Sequence, residues 1–322
     1  MTLNTNEFSN KILIIIGGAG SIGVNLAETL LPYKPKKIYV IDNLSSGEKG
    51  FLPESNVIEF IYCDITNSAK LKEAIHKEVS YIFHLAAHFA NQNSVDFPIS
   101  DLNTNVYGTI NLYEVCKNLK SLKKIVFASS SCVYADIKDM KVDSKLYPFK
   151  TPYAINKLVG EFYSKFYSST FGIPIVIIRI FNTYGKYELP GKYRNVITNF
   201  IYKALRDEDI IITGNGNETR DFTYVKDTIQ VILKACFSSF RNSEIFNAGT
   251  GKEIKIIDIA NTIKNLTQSN SKIIFEEKRS WDNIKSRKSN ISETKSLLGY
   301  VPSYLNFESN INEVILWQKN NI

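Results

Sequence analysis

Tyr153 and Lys157, in the segment Tyr153-Ala-Ile-Asn-Lys157, stand one helical turn apart. On a helix, positions four apart share a face. An ammonium held beside a phenol favours the phenolate and draws its pKa from about 10 toward neutrality. Upstream, three consecutive serines, Ser129 to Ser131, precede Cys132-Val133-Tyr134. A serine hydroxyl near the phenol would orient an alcohol substrate, giving a base, its activator and a positioning group. A Tyr-x-x-x-Lys pair is more often an ordinary helix surface, and with 18 tyrosines chance matches are expected. The pair gains weight from its place in the chain.

A second group points to a dinucleotide. Gly17, Gly20 and Gly23 form GxxGxxG between an apolar run at 12–16 and a helical stretch at 24–31. Glycine suits a backbone that turns tightly and approaches a pyrophosphate, while the helix amino end offers free N–H groups and a positive dipole end. Asp42, 19 residues past Gly23, closes the next strand. There a carboxylate accepts both adenosine ribose hydroxyls and repels a 2′-phosphate, which favours NAD over NADP; the alternative is a plain turn aspartate in IDNLSSG. Asp64, ending a third strand, is placed to meet the adenine edge.

Strands are predicted at 11–16, 37–41, 57–62, 81–85, 124–128 and 174–180, with helices at 104–119 and 153–171 among them. Such alternation predicts an α/β fold, a doubly wound parallel sheet of Rossmann type with its strand C-termini along one ligand-binding edge. After residue 181 glycine and asparagine become frequent and the elements shorten. The expected division is 1–181 for NAD and 182–322 for a smaller substrate lobe, with a strand near 244–248 returning to the sheet. On the 153–171 helix, Ile155, Leu158, Val159, Phe162 and Phe166 make an apolar stripe. It lies roughly opposite Tyr153 and Lys157 and predicts cover by a second subunit, a homodimer.

Composition sets the bounds. The chain has 322 residues, 44% hydrophobic and 22% charged, which is ordinary for a globular protein. Its net charge of +7 is spread along the chain rather than gathered for nucleic acid; only residues 278–288 (KRSWDNIKSRK) are dense in cations. That run is either a solvated face or a site for a small polyanion. The first ten residues are polar, and the apolar run after them is too short to span a bilayer, so a cytoplasmic protein is expected. Four cysteines, Cys63, Cys116, Cys132 and Cys236, lack metal or disulfide spacing and read as buried reduced thiols.

Over nearly its whole length the sequence resembles the extended short-chain dehydrogenase/reductase family, in particular its nucleotide-sugar epimerases and dehydratases. The resemblance rests on GGAGSIG, IDNLSSG, CDIT, His84-Leu-Ala-Ala87, NVYGT, SSSCVY and YAINK. It implies NAD lined by Gly17, Gly20, Ser21, Ile22, Gly23, Asp42, Asn43, Asp64, Ile65, Leu85, Ala86, Ala87, Asn105, Tyr153 and Lys157. It implies Ser130 as the catalytic hydroxyl, although Ser131 beside it would serve. Asn182 in FNTYG, Arg220 in TRDF, and Arg279 and Arg287 in the basic run match positions that hold a nucleotide-diphosphate sugar. Ile16 and Ala135 depart from frequent family residues without touching the chemistry; His84 and His88 read as lining or packing residues. Cys132 occupies a position where dehydratases and decarboxylases of the family carry glutamate. No lysine or arginine adjoins it in sequence, so its thiol is expected to be unactivated. The implied activity is an NAD-dependent 4-epimerase acting through a 4-keto sugar. A 4,6-dehydratase, a C4 dehydrogenase or reductase, and a non-enzymatic NAD-sensing regulator are the alternatives, and neither base nor sugar can be read.

Overall fold

The computed structural model describes residues 7–279, 282 and 284–322; residues 1–6, and Ser280, Trp281 and Asn283 of the basic run, fall outside the described residues. Strand β1 (Ile12–Ile16) runs into α1 (Ser21–Leu30), followed by β2 (Lys37–Asp42), β3 (Ile58–Tyr62), α2 (Ser68–Ala74) and β4 (Val79–His84). Helices α3 (Asn91–Asp96), α4 (Pro98–Leu102) and α5 (Gly108–Cys116) lead to β5 (Lys124–Ser130), α6 (Pro152–Phe171) and β6 (Ile175–Ile180). Next come β7 (Asn182–Tyr184), α7 (Val196–Ala204), β8 (Ile210–Thr213), β9 (Thr219–Arg220), β10 (Phe222–Tyr224), α8 (Val225–Phe237) and β11 (Asn242–Ala248). The chain closes through β12 (Ile254–Lys255), α9 (Ile256–Thr267), β13 (Ile273–Glu276), β14 (Ser286–Arg287), α10 (Ser292–Leu298) and α11 (Phe307–Asn321).

Seven strands form one parallel sheet in the order β11-β6-β5-β4-β1-β2-β3. The strand near 244–248 does return, pairing with β6. Side chains alternate along a strand. In β1, Leu13 and Ile15 enter one core with Leu26 and Ile178, while Ile12, Ile14 and Ile16 enter the opposite core with Leu71 and Leu112. Strands buried on both faces need continuous apolar runs, which β1 supplies as ILIII. The strand order reverses direction at β1 and β4, and beyond their carboxyl ends lies the place where such sheets bind ligands.

Helix α6 is inverted relative to an ordinary amphipathic helix. Its buried face carries Tyr153, Asn156, Lys157, Gly160, Glu161, Ser164 and Ser168, while Ile155, Phe162 and Phe166 are exposed. The polar face is satisfied beneath the sheet. Glu161 Oε1 accepts the Ser129 hydroxyl at 2.5 Å, and Arg179 of β6 donates to both Glu161 oxygens at 2.9 and 2.7 Å. Arg179 also donates to the Val142 carbonyl at 2.9 Å and lies 4.7 Å from the Tyr134 ring centroid. A Cβ at Gly160 would come 2.6 Å from Cζ of Phe127, so glycine lets α6 settle closely on β5. Leu158 departs from the expected outward stripe: it is buried with Val133, Tyr134, Met140 and Phe181.

Two further expectations change. The helix expected at 104–119 begins with Pro98, in a first-turn position, and passes through a π turn at Asn103–Tyr107. Helix α3 precedes it, where the sequence has no helical apolar period. Beyond residue 181 the shortening is partial: β11 keeps seven residues, and α8, α9 and α11 have 13, 12 and 15. Among the described residues no helix is long and apolar enough to cross a membrane.

The Arg179–Glu161 pair yields a stability prediction. Arg179→Met leaves a carboxylate buried without its cation and is expected to cost about 3–5 kcal/mol in denaturant unfolding. Adding Glu161→Leu should restore most of that loss, and a single variant as stable as the parent would disprove the pinning role.

Candidate active site

One cavity of about 970 Å³ runs along the carboxyl edge of the sheet. Its floor is the glycine loop. Gly17 has φ +76°, and a Cβ there would meet Ala86 backbone at 2.5 Å; at Gly23 a Cβ would lie 2.5 Å from Gly18 Cα. At Gly20 nothing lies nearer than 3.5 Å, and no side chain caps the amino end of α1. That open cradle with a helix amino end fits a pyrophosphate. Ser21, Ile22, Asn43, Ile65, Leu85, Ala86 and Ala87 line the same cavity, as do Asp42 and Asp64.

The two acids are fixed by backbone. Asp42 accepts the N–H of Ala19 at 3.0 Å and of Leu44 at 2.8 Å, while burial raises its carboxyl against those donors. Each oxygen keeps a lone pair for a ribose hydroxyl. Asp64 accepts from Asn43 Nδ2 at 2.7 Å and from the Thr66 N–H and hydroxyl at 2.8 and 2.6 Å. Burial works against its charge, but the Thr66 and Asn43 hydrogen bonds hold it below the usual carboxylate range.

Ser130, Ser131, Tyr153 and Lys157 meet on the wall where β5 ends. Thr151 caps α6 by accepting the Ala154 N–H, which sets the first turn and Tyr153 with it. Lys157 donates to the Ala128 carbonyl at 2.8 Å, and its nitrogen lies 5.8 Å from the Tyr153 ring centroid. Burial lowers its pKa to about 8, against the charges of Asp101 and Glu161. Lowering of the Tyr153 pKa by this lysine is not found. Burial pushes the phenol well above its ordinary value, the charges of Cys132 and Asp101 add to this, and the Ser130 hydroxyl pulls the other way. The sequence puts lysine and phenol on one face, but the fold commits the ammonium to a carbonyl.

Asn105 is buried behind the cavity wall; it bridges the His88 N–H and carbonyl at 3.2 and 3.3 Å and donates to Asp101 at 2.6 Å, which shapes the loop after β4. His84 packs, as read: burial lowers its pKa to about 3 and its Nε2 meets the Thr109 hydroxyl at 2.9 Å. His88 lines the cavity.

Cys132 differs most from expectation. It is half-open on the cavity wall, whereas Cys63, Cys116 and Cys236 are buried. Arg287, remote in sequence, brings Nη1 to 3.2 Å from its sulfur, and Asn91 Nδ2 stands at 3.5 Å. Burial raises the thiol, but the Arg287 charge and hydrogen bonds from Ser130, Asn91 and Arg287 carry it below its ordinary value. The thiol is activated through space.

Arg287 and Arg220 are partners across β14 and β9, and with Arg279 and Asn182 they line the far end of the cavity. Arg220 reaches Asp282 at 3.3 Å; among the described residues the buried Nε of Arg287 has no hydrogen-bond partner. This cationic end suits a diphosphate.

Residues 186–195 span the cavity mouth and had no signal in the sequence. The Lys186 carbonyl accepts from Ser21 and Asn25 at 2.7 and 3.2 Å, and Tyr187 donates to Glu28 at 2.5 Å. At the other end Lys192 and Tyr193 donate to Asp96 at 3.1 and 2.7 Å, and Arg194 to the Ser46 carbonyl at 2.6 Å.

The model of the NAD dependent epimerase/dehydratase family matches residues 13–249. The chain is 34% identical to a putative UDP-glucose 4-epimerase of Methanocaldococcus jannaschii, covering 96% of this chain and 99% of that protein. A UDP-N-acetyl-alpha-D-glucosaminuronate decarboxylase of Bacillus cytotoxicus is 32% identical, over 95% and 97%. Among solved structures, the Bordetella bronchiseptica enzyme WbmF in complex with NAD+ and UDP aligns with TM-score 0.84 and 31% identity, covering 98% of this chain and 94% of that one.

The placement of Asp42 leads to a binding prediction. Dissociation constants from titration should favour NAD over NADP by at least about tenfold, about 1.4 kcal/mol, and Asp42→Ala should narrow the gap. Equal or tighter NADP binding would remove Asp42 from this role.

Proposed function

The chain belongs to the NAD-dependent epimerase/dehydratase family, as an extended short-chain dehydrogenase/reductase with a Rossmann-type sheet, and from that premise we propose that it is a UDP-sugar 4-epimerase. The observation that carries this reading is the convergence in one cavity of Ser130, Tyr153 and Lys157 with the glycine cradle and the Arg220–Arg287 pair. The buried Ser130, Tyr153 and Lys157 set also speaks against a mere NAD sensor.

NAD, when bound, would supply the hydride acceptor and a positively charged ring. Ser130 holds the carbon 4 hydroxyl of the sugar and Tyr153 takes its proton, leaving a 4-keto sugar. Lys157, anchored on the Ala128 carbonyl, keeps Tyr153 in place and adds its charge. Asn182, Arg220, Arg279 and Arg287 hold the diphosphate, so residues 182–322 act as the substrate lobe while the sugar turns its other face and is reduced. Loss of water needs an acid ready to protonate the departing hydroxyl. The turn after β5 offers only serines and Cys132, whose sulfur is already ringed by donors; this favours inversion over dehydration.

We read the active form as a cytoplasmic homodimer. Ile155, Phe162 and Phe166 on α6, with Phe97, Ile99 and Leu102 nearby on the α3–α4 segment, leave an apolar face in solvent. Its three buried, unpaired cysteines suit a reducing compartment.

Three outcomes follow. With UDP-hexoses, NMR should report inversion at carbon 4 without loss of water and without net NADH; a product lighter by one water, or accumulating NADH with a 4-keto product, overturns the proposal. Tyr153→Phe should lower turnover by about 10² to 10⁴, and survival within a few-fold would exclude Tyr153 as the base. Light scattering should give about twice the 36.6 kDa chain mass; a monomer at micromolar concentration would mean that the α6 face needs no partner.

A further inference from the structure

The cations at the basic end of the cavity stand on strands too short to hold them. β9 and β14 have two residues each, joined by the Thr219 N–H to the Lys285 carbonyl and the Asp221 N–H to the Arg287 carbonyl, both at 2.9 Å. Their register sets Arg220 beside Arg287, and like charges so placed push the strands apart. Asp221 follows Arg220 at once. Besides holding the Arg287 carbonyl, it offers its own carbonyl to Asn182 Nδ2 at 3.4 Å. Asn182, Arg220 and Arg287 are therefore tied to the backbone of one residue.

Its side chain turns the other way. Arg220 and Phe222 line the cavity, whereas Asp221 between them is fully buried behind it. Oδ1 accepts the Thr250 hydroxyl at 2.7 Å, the Thr250 N–H at 3.0 Å and the Thr223 hydroxyl at 3.4 Å. Oδ2 accepts the Gly251 N–H at 2.9 Å, the Ser289 N–H at 3.3 Å and the Ser289 hydroxyl. Three of these donors are main-chain N–H groups, which cannot turn to accept, so only a group with two acceptor oxygens suits the place. Gly249 leaves room for it: a Cβ there would lie 2.2 Å from Ser289 Oγ and 3.0 Å from Asp221 Oδ2. Thr250 and Gly251 directly follow β11 of the large sheet, and Ser289 stands two residues past Arg287. The carboxylate thus joins the large sheet to both arginine strands.

We propose that Asp221 is a positioning residue for the diphosphate, which fixes the spacing of Arg220, Arg287 and Asn182 by tying them to the end of β11. The proposal rests on the preceding section's reading of these three as diphosphate holders. With the site empty the two guanidinium groups repel, and the tie keeps them in place; an arriving diphosphate finds them already spaced and loses less affinity to ordering them. The sheet that places the cofactor then also sets where the substrate phosphates lie. Asp221 acts only through the arginines and Asn182, so its loss weakens phosphate binding and leaves the steps at Tyr153 alone.

Calorimetric titration of the intact protein with UDP, UMP and NAD tests this in the parent and two variants. One is Asp221→Asn; the other, Thr250→Val with Ser289→Ala, keeps the carboxylate and removes two of its donors. The UDP dissociation constant should rise at least about tenfold in Asp221→Asn and by about threefold or more in the double variant. UMP binding should weaken less than UDP binding, and NAD binding should stay within about twofold. With a UDP-hexose, KM should rise with the UDP constant while kcat holds within about threefold. Unchanged UDP affinity in both variants overturns the proposal. So does an equal loss for UDP, UMP and NAD, or a fall in kcat at constant KM, since Asp221 would then support the fold at large. A parent protein that does not bind UDP overturns the diphosphate reading and this proposal with it. Because binding needs no turnover, failure of the epimerase reading alone leaves the UDP and UMP comparison decisive.

Discussion

The ion pair between Glu161 and Arg179 is the constraint on which the site depends. Both charges are removed from water, so each must find the other. A buried pair of this kind adds little net stability, yet it resists displacement, because a shift of α6 along β5 and β6 would strand two charges at once. With Glu161 also receiving the Ser129 hydroxyl, the helix and the end of β5 are held in one register. Ser130, the residue after Ser129, and Tyr153, two helical turns before Glu161, are thereby brought together. Gly160 removes the side chain that would hold the two apart. The inverted character of α6 has the same origin: the polar face is consumed inside, and apolar residues are left outside.

Charge is also graded along the cavity. Asp42 and Asp64 stand at one end, Arg220, Arg279 and Arg287 at the other, and Tyr153 and Lys157 lie between them. An acidic end that accepts ribose hydroxyls repels a second phosphate, and a basic end attracts one. Where they meet, the deep wall is nearly dry, and small changes in charge move pKa values far. That is why a lysine of ordinary type falls to about 8, and why a cysteine beside an arginine is drawn the other way from its buried counterparts.

Much of this could be read in the chain because the relevant signals are local. GxxGxxG between an apolar strand and a helix, Asp42 at a strand end, and Tyr153 with Lys157 on one helical face each depend on a few adjacent residues, and all are on the cavity wall. The sheet was legible from its continuous β-branched runs. What escaped was non-local. The meeting of Cys132 with Arg287 joins β5 to a two-residue strand formed late in the chain, so sequence neighbours could not disclose the activation. Lys157 donates to the Ala128 carbonyl, and no side-chain pattern reveals a backbone acceptor. Asn105 lies on a π turn, which rotates it inward relative to a regular helix, and α3 carries its apolar groups outward, so it lacked the period that marks a buried helix.

The span formed by residues 186–195 has a temporal meaning. It is tied to α1 through the Lys186 carbonyl and Tyr187, to the loop beside Ala19 through the Ser46 carbonyl, and to α3 through Asp96. Anything lying beneath it departs only after several of these ties are released together, so residence there is set by the opening of the span and not by diffusion. A catalyst that restores its redox carrier within each cycle loses nothing by such slow exchange, whereas one that must trade it every turnover would be throttled by the same bridge.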